Sequence, residues 1–125
     1  MPKILVVDDD DDAREIARDL LMISGYEVIE ASNGPGGVTA AVSERPDLIL
    51  MDIMMPNLDE GLVATKELRA LDGTRDIPVV AFSGLAMDYQ KKRALDAGCN
   101  DVVVKPYDFD HLLEVVRKYL SGSTP

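Results

Sequence analysis

Four short runs of the chain are apolar without interruption: Ile4 to Val7, Leu48 to Met51, Val79 to Phe82 and Val102 to Val104. A strand with one wet face alternates apolar and polar side chains, so unbroken runs belong to strands covered on both faces, as in a parallel sheet between helices. A fifth run, Tyr26 to Ala31, is interrupted by Glu27 and Glu30, which suits the edge of such a sheet. Helical patterns follow the runs. Ala13, Ile16, Ala17, Leu20 and Ile23 share one face, with Asp12 or a neighbour as cap and Ser24-Gly25 as stop. Further helices are expected over Leu62 to Leu71 and Ala86 to Ala97, the latter ended by Gly98. Phe109, Leu112, Leu113, Val116 and Leu120 form a single apolar stripe in the last helix. Gly34 to Glu44 is the poorest helix former: Pro35 fits a first turn, but Gly36 and Gly37 each cost about 1 kcal/mol relative to alanine. The resulting order, βαβαβαβαβα with short links, predicts right-handed crossovers and a doubly wound α/β sandwich.

Composition narrows what such a sandwich does. At 125 residues the chain suits one domain with its own core, and 46% hydrophobic with 29% charged residues is ordinary for a soluble fold. A net charge of −10 with no dense cluster of Lys and Arg argues against nucleic acid and favours cations and basic protein surfaces as partners. The single cysteine, Cys99, excludes an internal disulfide and suits a reducing compartment. No apolar run reaches the length of a membrane span, and MPKILVV lacks the parts of a secretory signal, so a cytoplasmic location is expected.

Ligands of open α/β sheets sit at the carboxyl ends of the strands. The residues at those positions are Asp8 and Asp9 after the first run, Asp52 after the third, Ser83 after the fourth and Lys105 after the fifth. Taken singly, each has an ordinary explanation: a turn or cap aspartate, a Ser-Gly turn, a solvated lysine. Their coincidence at one rim outweighs these. Clustered carboxylates at the end of a buried strand need a cation or a proton to compensate them. Mg²⁺, which takes oxygen ligands, fits best, and a phosphoryl group would complete its shell. A GxGxxG or Walker loop is absent, so nucleotide binding has no support.

The stretches LVVDDD at 5–10, LILMDIMMP at 48–56, Phe82-Ser83-Gly84 and VVVKP at 102–106 together resemble the receiver domain of two-component response regulators. The resemblance covers essentially the whole chain, in order and with matching spacing. It implies a flavodoxin-like five-stranded parallel sheet of order 2-1-3-4-5, a receiver over 1–121 and a short tail at 122–125. It further implies that Asp52 accepts a phosphoryl group from a histidine kinase or a histidine phosphotransfer protein. By the same resemblance, Asp8, Asp9, Asp52 and the backbone carbonyl of Met54 hold Mg²⁺, Lys105 pairs with a phosphoryl oxygen, and the Ser83 hydroxyl turns inward to bond it. Lys105-Pro106 resembles the cis peptide of the family. The expected product is a single-domain regulator without an output domain, which switches interactions with a downstream protein and catalyses only its own phosphorylation and dephosphorylation. A binding-only pseudo-receiver, a receiver excised from a hybrid kinase and a small aspartyl-phosphate hydrolase are the alternatives. The last would need an aspartate where Met54 stands.

The remaining polar residues have simpler roles. Asp10 to Asp12 belong to the start of the first helix, where acids favour the positive end of its dipole. Arg14 screens the acidic run, His111 is a surface residue, and Cys99 is a packed thiol. Three departures from the family pattern stand out. Asp59-Glu60-Gly61 replaces the usual Asp-Gly, so a local bulge is expected between Asp52 and the third helix. Val102 occupies a position where many members carry Tyr or Phe, so weaker or different signalling is expected through the face of the fourth helix, fifth strand and fifth helix. Gly36-Gly37 loosens the second helix. Met54 and Leu85, bulky and apolar, are expected to slow loss of the phosphoryl group.

Overall fold

The structure, a computed structural model, describes residues 1–53, 59–83, 88–105 and 107–120, with the backbone alone for residues 83 and 88–90. Strands and helices alternate as β1 (Lys3–Val7), α1 (Asp11–Ile23), β2 (Glu27–Ala31), α2 (Gly34–Glu44), β3 (Leu48–Asp52), α3 (Glu60–Ala70), β4 (Val79–Ser83), α4 (Asp88–Ala97), β5 (Asp101–Val104) and α5 (Phe109–Leu120). The strands form one parallel sheet in the order β2-β1-β3-β4-β5, the flavodoxin-like arrangement. The glutamate-interrupted β2 lies at one edge, as its sequence indicated.

Both faces of the sheet are covered, which is why its strands show no polar alternation. Leu5, Val7, Ile49, Met51, Val79 and Ala81 pack on Ala41, Ala64, Leu68, Ala94 and Ala97 of α2, α3 and α4. Ile4, Val6, Leu48, Leu50, Val80, Phe82 and Val103 face the other way, onto Ala17 and Leu21 of α1 and Leu112, Leu113 and Val116 of α5. Alternate residues of each unbroken run thus serve opposite layers.

Helix α1 lies on a different face from the one its apolar spacing predicts. Ala17 and Leu21 are buried, whereas Ile16 is 57% and Ile23 is 83% exposed. The inward stripe runs Arg14, Ala17, Arg18, Leu21, and both arginines reach Glu30 on β2: Arg14 Nε donates to Oε1 at 3.1 Å and Arg18 Nη1 to Oε2 at 3.3 Å. Two inward positions are therefore basic, and apolar periodicity alone points one residue away from the true face.

The glycines of α2 have a packing role. A Cβ on Gly37 would stand 2.9 Å from Val7 Cγ2, so only glycine lets the helix approach β1 this closely. The helix is capped by Asn33, whose Oδ1 accepts from Gly36 N at 2.7 Å, and Pro35 sits in its first turn. Helix α3 starts at Glu60, inside the expected insertion. Glu60 Oε2 accepts from Gly34 N at 3.2 Å, while the adjacent Asp59 accepts from Arg93 Nη2 of α4 at 2.5 Å. The bulge expected between Asp52 and α3 falls on 54–58, outside the described residues. At the opposite rim Arg69 donates to the carbonyls of Gly98, Arg75 and Ile77 and to Asn100 Oδ1, joining the loops around β4 and β5. Among the described residues, no helix is long and apolar enough to cross a membrane.

Candidate functional site

The register of the sheet brings the carboxyl ends of its central strands to one rim. Asp8 directly follows β1, Asp52 ends β3, Ser83 ends β4 and Lys105 directly follows β5. Asp8 and Asp52 are each only 3% exposed, whereas Asp9 is open to solvent. One carboxylate oxygen from each of Asp8, Asp9 and Asp52 lies within 4.8 Å of the others. Lys105 Nζ spans the buried pair, donating to Asp8 Oδ2 at 3.2 Å and to Asp52 Oδ2 at 3.4 Å. The first three of the predicted site residues and Lys105 are thus together in space, although they are distant in sequence.

Electrostatics explains how two carboxylates tolerate burial here. Burial by itself would lower the Lys105 pKa, but the fields of Asp52 and Asp8 outweigh it and hold the ammonium above its usual value. The lysine stays charged. Its Nζ also lies 5.7 Å from the centroid of the Phe82 ring, a cation–π contact that helps orient the ammonium, and Tyr107 stacks on that same Phe82 ring with centroids 5.2 Å apart. Three carboxylates against one ammonium still leave two formal negative charges. All three acidic donors are hard oxygens, with neither imidazole nor thiolate among them, a set that fits Mg²⁺.

The five consecutive aspartates prove to have separate tasks. Asp8 is held by its backbone N–H, which donates to Ala31 O at 3.1 Å, and by its Oδ1, which accepts from Asp10 N at 2.9 Å. Asp9 faces the rim. Asp10 caps α1, its Oδ1 accepting from Asp12 N at 3.0 Å and Ala13 N at 3.2 Å. Asp11 Oδ1 accepts from Arg14 Nη2 at 2.6 Å. Asp12 lies exposed in the first turn, where the helix dipole favours an acid.

Arg14 screens the acidic run through Asp11, as expected, and also touches the site directly, its Nη1 donating to the backbone carbonyl of Asp8 at 2.8 Å. Its partner Glu30 and the ring of Tyr107 were not foreseen from sequence. The signals in the sequence were an acid interrupting the second strand's apolar run, and an aromatic residue two places after Lys105. His111 is exposed and Cys99 is buried with Sγ 3.8 Å from Thr65 Oγ1, as their sequence contexts indicated. Val102 is partly buried against the core. The Met54 carbonyl, the Ser83 hydroxyl, Leu85 and the Lys105-Pro106 peptide lie outside the described residues and atoms.

A doubly wound parallel sheet carrying an acidic triad and a lysine at its carboxyl rim is the architecture of a two-component signalling receiver. The chain belongs to the response regulator receiver domain family, whose model matches residues 4–117. It is 39% identical over 124 residues to the polar-differentiation response regulator DivK of Brucella anthropi, covering 98% of this chain and 100% of that protein. It is 37% identical over 120 residues to the DNA-binding dual master transcriptional regulator RpaA of Synechocystis, covering 96% of this chain but 49% of that one. Among solved structures it is similar to the chemotaxis protein CheY4 of Vibrio cholerae, with a TM-score of 0.90, 28% identity and coverage of 96% of this chain and 99% of that one. It is also similar to the receiver domain of the sensor histidine kinase PA1611 of Pseudomonas aeruginosa, with a TM-score of 0.88, 31% identity and coverage of 96% and 98%. That receiver was crystallised with a magnesium ion coordinated in its active-site cleft.

Proposed function

We propose that this receiver takes a phosphoryl group onto Asp52 from the phosphohistidine of a histidine kinase or phosphotransfer protein, and so switches its binding to a downstream protein. The observation that carries this reading is the convergence of Asp8, Asp9, Asp52 and Lys105 on one rim. In the transfer, an Asp52 carboxylate oxygen attacks phosphorus, the O–P bond forms as the N–P bond to the donor imidazole breaks, and the leaving nitrogen keeps the electron pair. Lys105 pairs with a phosphoryl oxygen, exchanging one of its two carboxylate partners for the new anion. The Ser83 hydroxyl supplies a further hydrogen bond to the group.

Asp8, Asp9, Asp52 and the Met54 carbonyl would hold Mg²⁺, which when bound supplies positive charge against the phosphoryl oxygens. Asp8 and Asp9 are thereby ligands and Asp52 both ligand and nucleophile. The receiver occupies 1–121, with 122–125 as a tail, and acts in the cytoplasm on protein partners rather than on nucleic acid. Its catalysis is confined to gaining and losing its own phosphoryl group.

Incubation with Mg²⁺ and acetyl phosphate, followed by intact mass spectrometry, tests the reading. One phosphoryl increment is expected in the native chain and none in Asp52→Asn or without Mg²⁺. An unmodified native chain would favour a binding-only receiver.

A further inference from the structure

Asp8 is fixed from four directions. Its N–H donates to Ala31 O, its Oδ1 accepts from Asp10 N, its Oδ2 accepts from Lys105, and its carbonyl accepts from Arg14 Nη1 at 2.8 Å. Arg14 is itself immobilised. Its side chain is 17% exposed, its Nε donates to Glu30 Oε1 at 3.1 Å and its Nη2 to Asp11 Oδ1 at 2.6 Å. Glu30 pairs in register with Val6 on the neighbouring strand, and Ala31, the residue after it, accepts the Asp8 N–H. A closed frame therefore runs from β2 through Glu30 and Arg14 to the carbonyl of Asp8, and from Asp8 N back to β2.

We propose that Arg14, anchored by Glu30, is a positioning residue for the metal site: it holds the Asp8 backbone so that the carboxylate points at the rim. This deepens the reading of the rim as a Mg²⁺ site and rests on it. The guanidinium suits the task because its planar fork serves three acceptors at once, which a lysine ammonium at the end of a flexible stem does not reproduce. Removal of a group that orients a metal ligand typically weakens metal binding on the order of tenfold or more.

The sign of the effect separates positioning from simple charge. Arg14 is a cation close to an anionic site, so electrostatics alone makes its removal strengthen Mg²⁺ binding, while positioning makes it weaken. The experiment is a MgCl₂ titration of the ¹⁵N-labelled chain, following the amide shifts of Asp8, Asp9 and Asp52. Dispersion of the remaining amides reports whether each variant is folded. In Arg14→Met the dissociation constant is expected to rise on the order of tenfold. Arg14→Lys keeps the charge and the fold but loses the fork, and a rise of several-fold is expected. An unchanged or smaller constant in folded Arg14→Met, or an Arg14→Lys constant equal to that of the native chain, overturns the proposal. Absence of any Mg²⁺ shifts in the native chain would instead overturn the metal site itself.

Discussion

Gly61 stands against the backbone of Asp52: a Cβ at position 61 would lie 2.7 Å from the Asp52 carbonyl oxygen and 3.1 Å from Ile53 Cα. The first turn of α3 is thus seated directly on the strand end that presents the acidic rim. Alanine would normally gain about 1 kcal/mol of helix propensity over glycine. Here the atoms in the way are backbone and cannot rotate aside, so Gly61→Ala is expected to lose about 1–3 kcal/mol, as overpacking does. A fall in the urea midpoint checks this, and a rise would mean that the seat is looser than its geometry.

Glu60, at the start of α3, joins that helix to the start of α2 through Gly34 N. Its carboxylate satisfies one of the amides that a helix start leaves unpaired and sits at the positive end of the dipole. Glu60→Ala is expected to cost about 0.5–1.5 kcal/mol, in the range of a lost cap. Glu60→Gln keeps an acceptor and is expected to cost less, measured by the same denaturation.

The face of α1 can be tested by two truncations. Leu21 is fully buried, so Leu21→Ala is expected to cost about 2–5 kcal/mol. Ile23 is 83% exposed, and Ile23→Ala is expected to stay within about 0.5 kcal/mol. Equal losses would contradict the inward stripe through Arg14, Ala17, Arg18 and Leu21.

Metal binding is linked to stability. At tenfold its dissociation constant, Mg²⁺ should add about 1.4 kcal/mol by mass action, visible as a raised thermal midpoint that EDTA reverses. Asp52→Asn removes one of three clustered carboxylates. The metal-free variant is expected to melt higher than the metal-free native chain, because like-charge repulsion is relieved, and to gain little from Mg²⁺.

Cys99 is held protonated chiefly by burial, which pushes its thiol above the usual 9.0 against the opposing effects of Thr65 and Arg69. At pH 8 labelling by a thiol reagent is expected to be far slower in the folded chain than in urea. A raised folded-state pKa contributes stability that is complete below the unfolded value and is lost as pH rises through the folded one. Stability should therefore decline above about pH 9, and Cys99→Ala should show a shallower decline.

The rim was legible because each buried strand is an unbroken apolar run, and the first polar residue after such a run lies at its carboxyl end. Asp8, Asp52 and Lys105 were found by that rule alone, and the resemblance to receivers then assigned their chemistry. The face of α1 was not legible, since Arg14 and Arg18 occupy inward positions that only the partner Glu30 on another strand makes favourable. Gly37 read as a weakness because its neighbour Val7 lies 30 positions earlier, and local propensity knows nothing of that approach. Glu60 looked like a loop insertion for the same reason, its acceptor role depending on a helix start elsewhere in the chain. The division of labour among the five aspartates needed coordinates, because capping and side-chain orientation are set by φ and ψ rather than by residue type.

The contact between Lys105 and Asp8 closes a span of 97 residues. A chain emerging from the ribosome presents its aspartates long before it presents the lysine, which directly follows β5, the edge strand paired with β4. Asp10 to Asp12 find their partners locally, in the start of α1 and in Arg14, but Asp8 and Asp52 lack the Lys105 counter-charge until β5 is in place. The rim, unlike the helix start beside it, is therefore complete only when both ends of the chain have met.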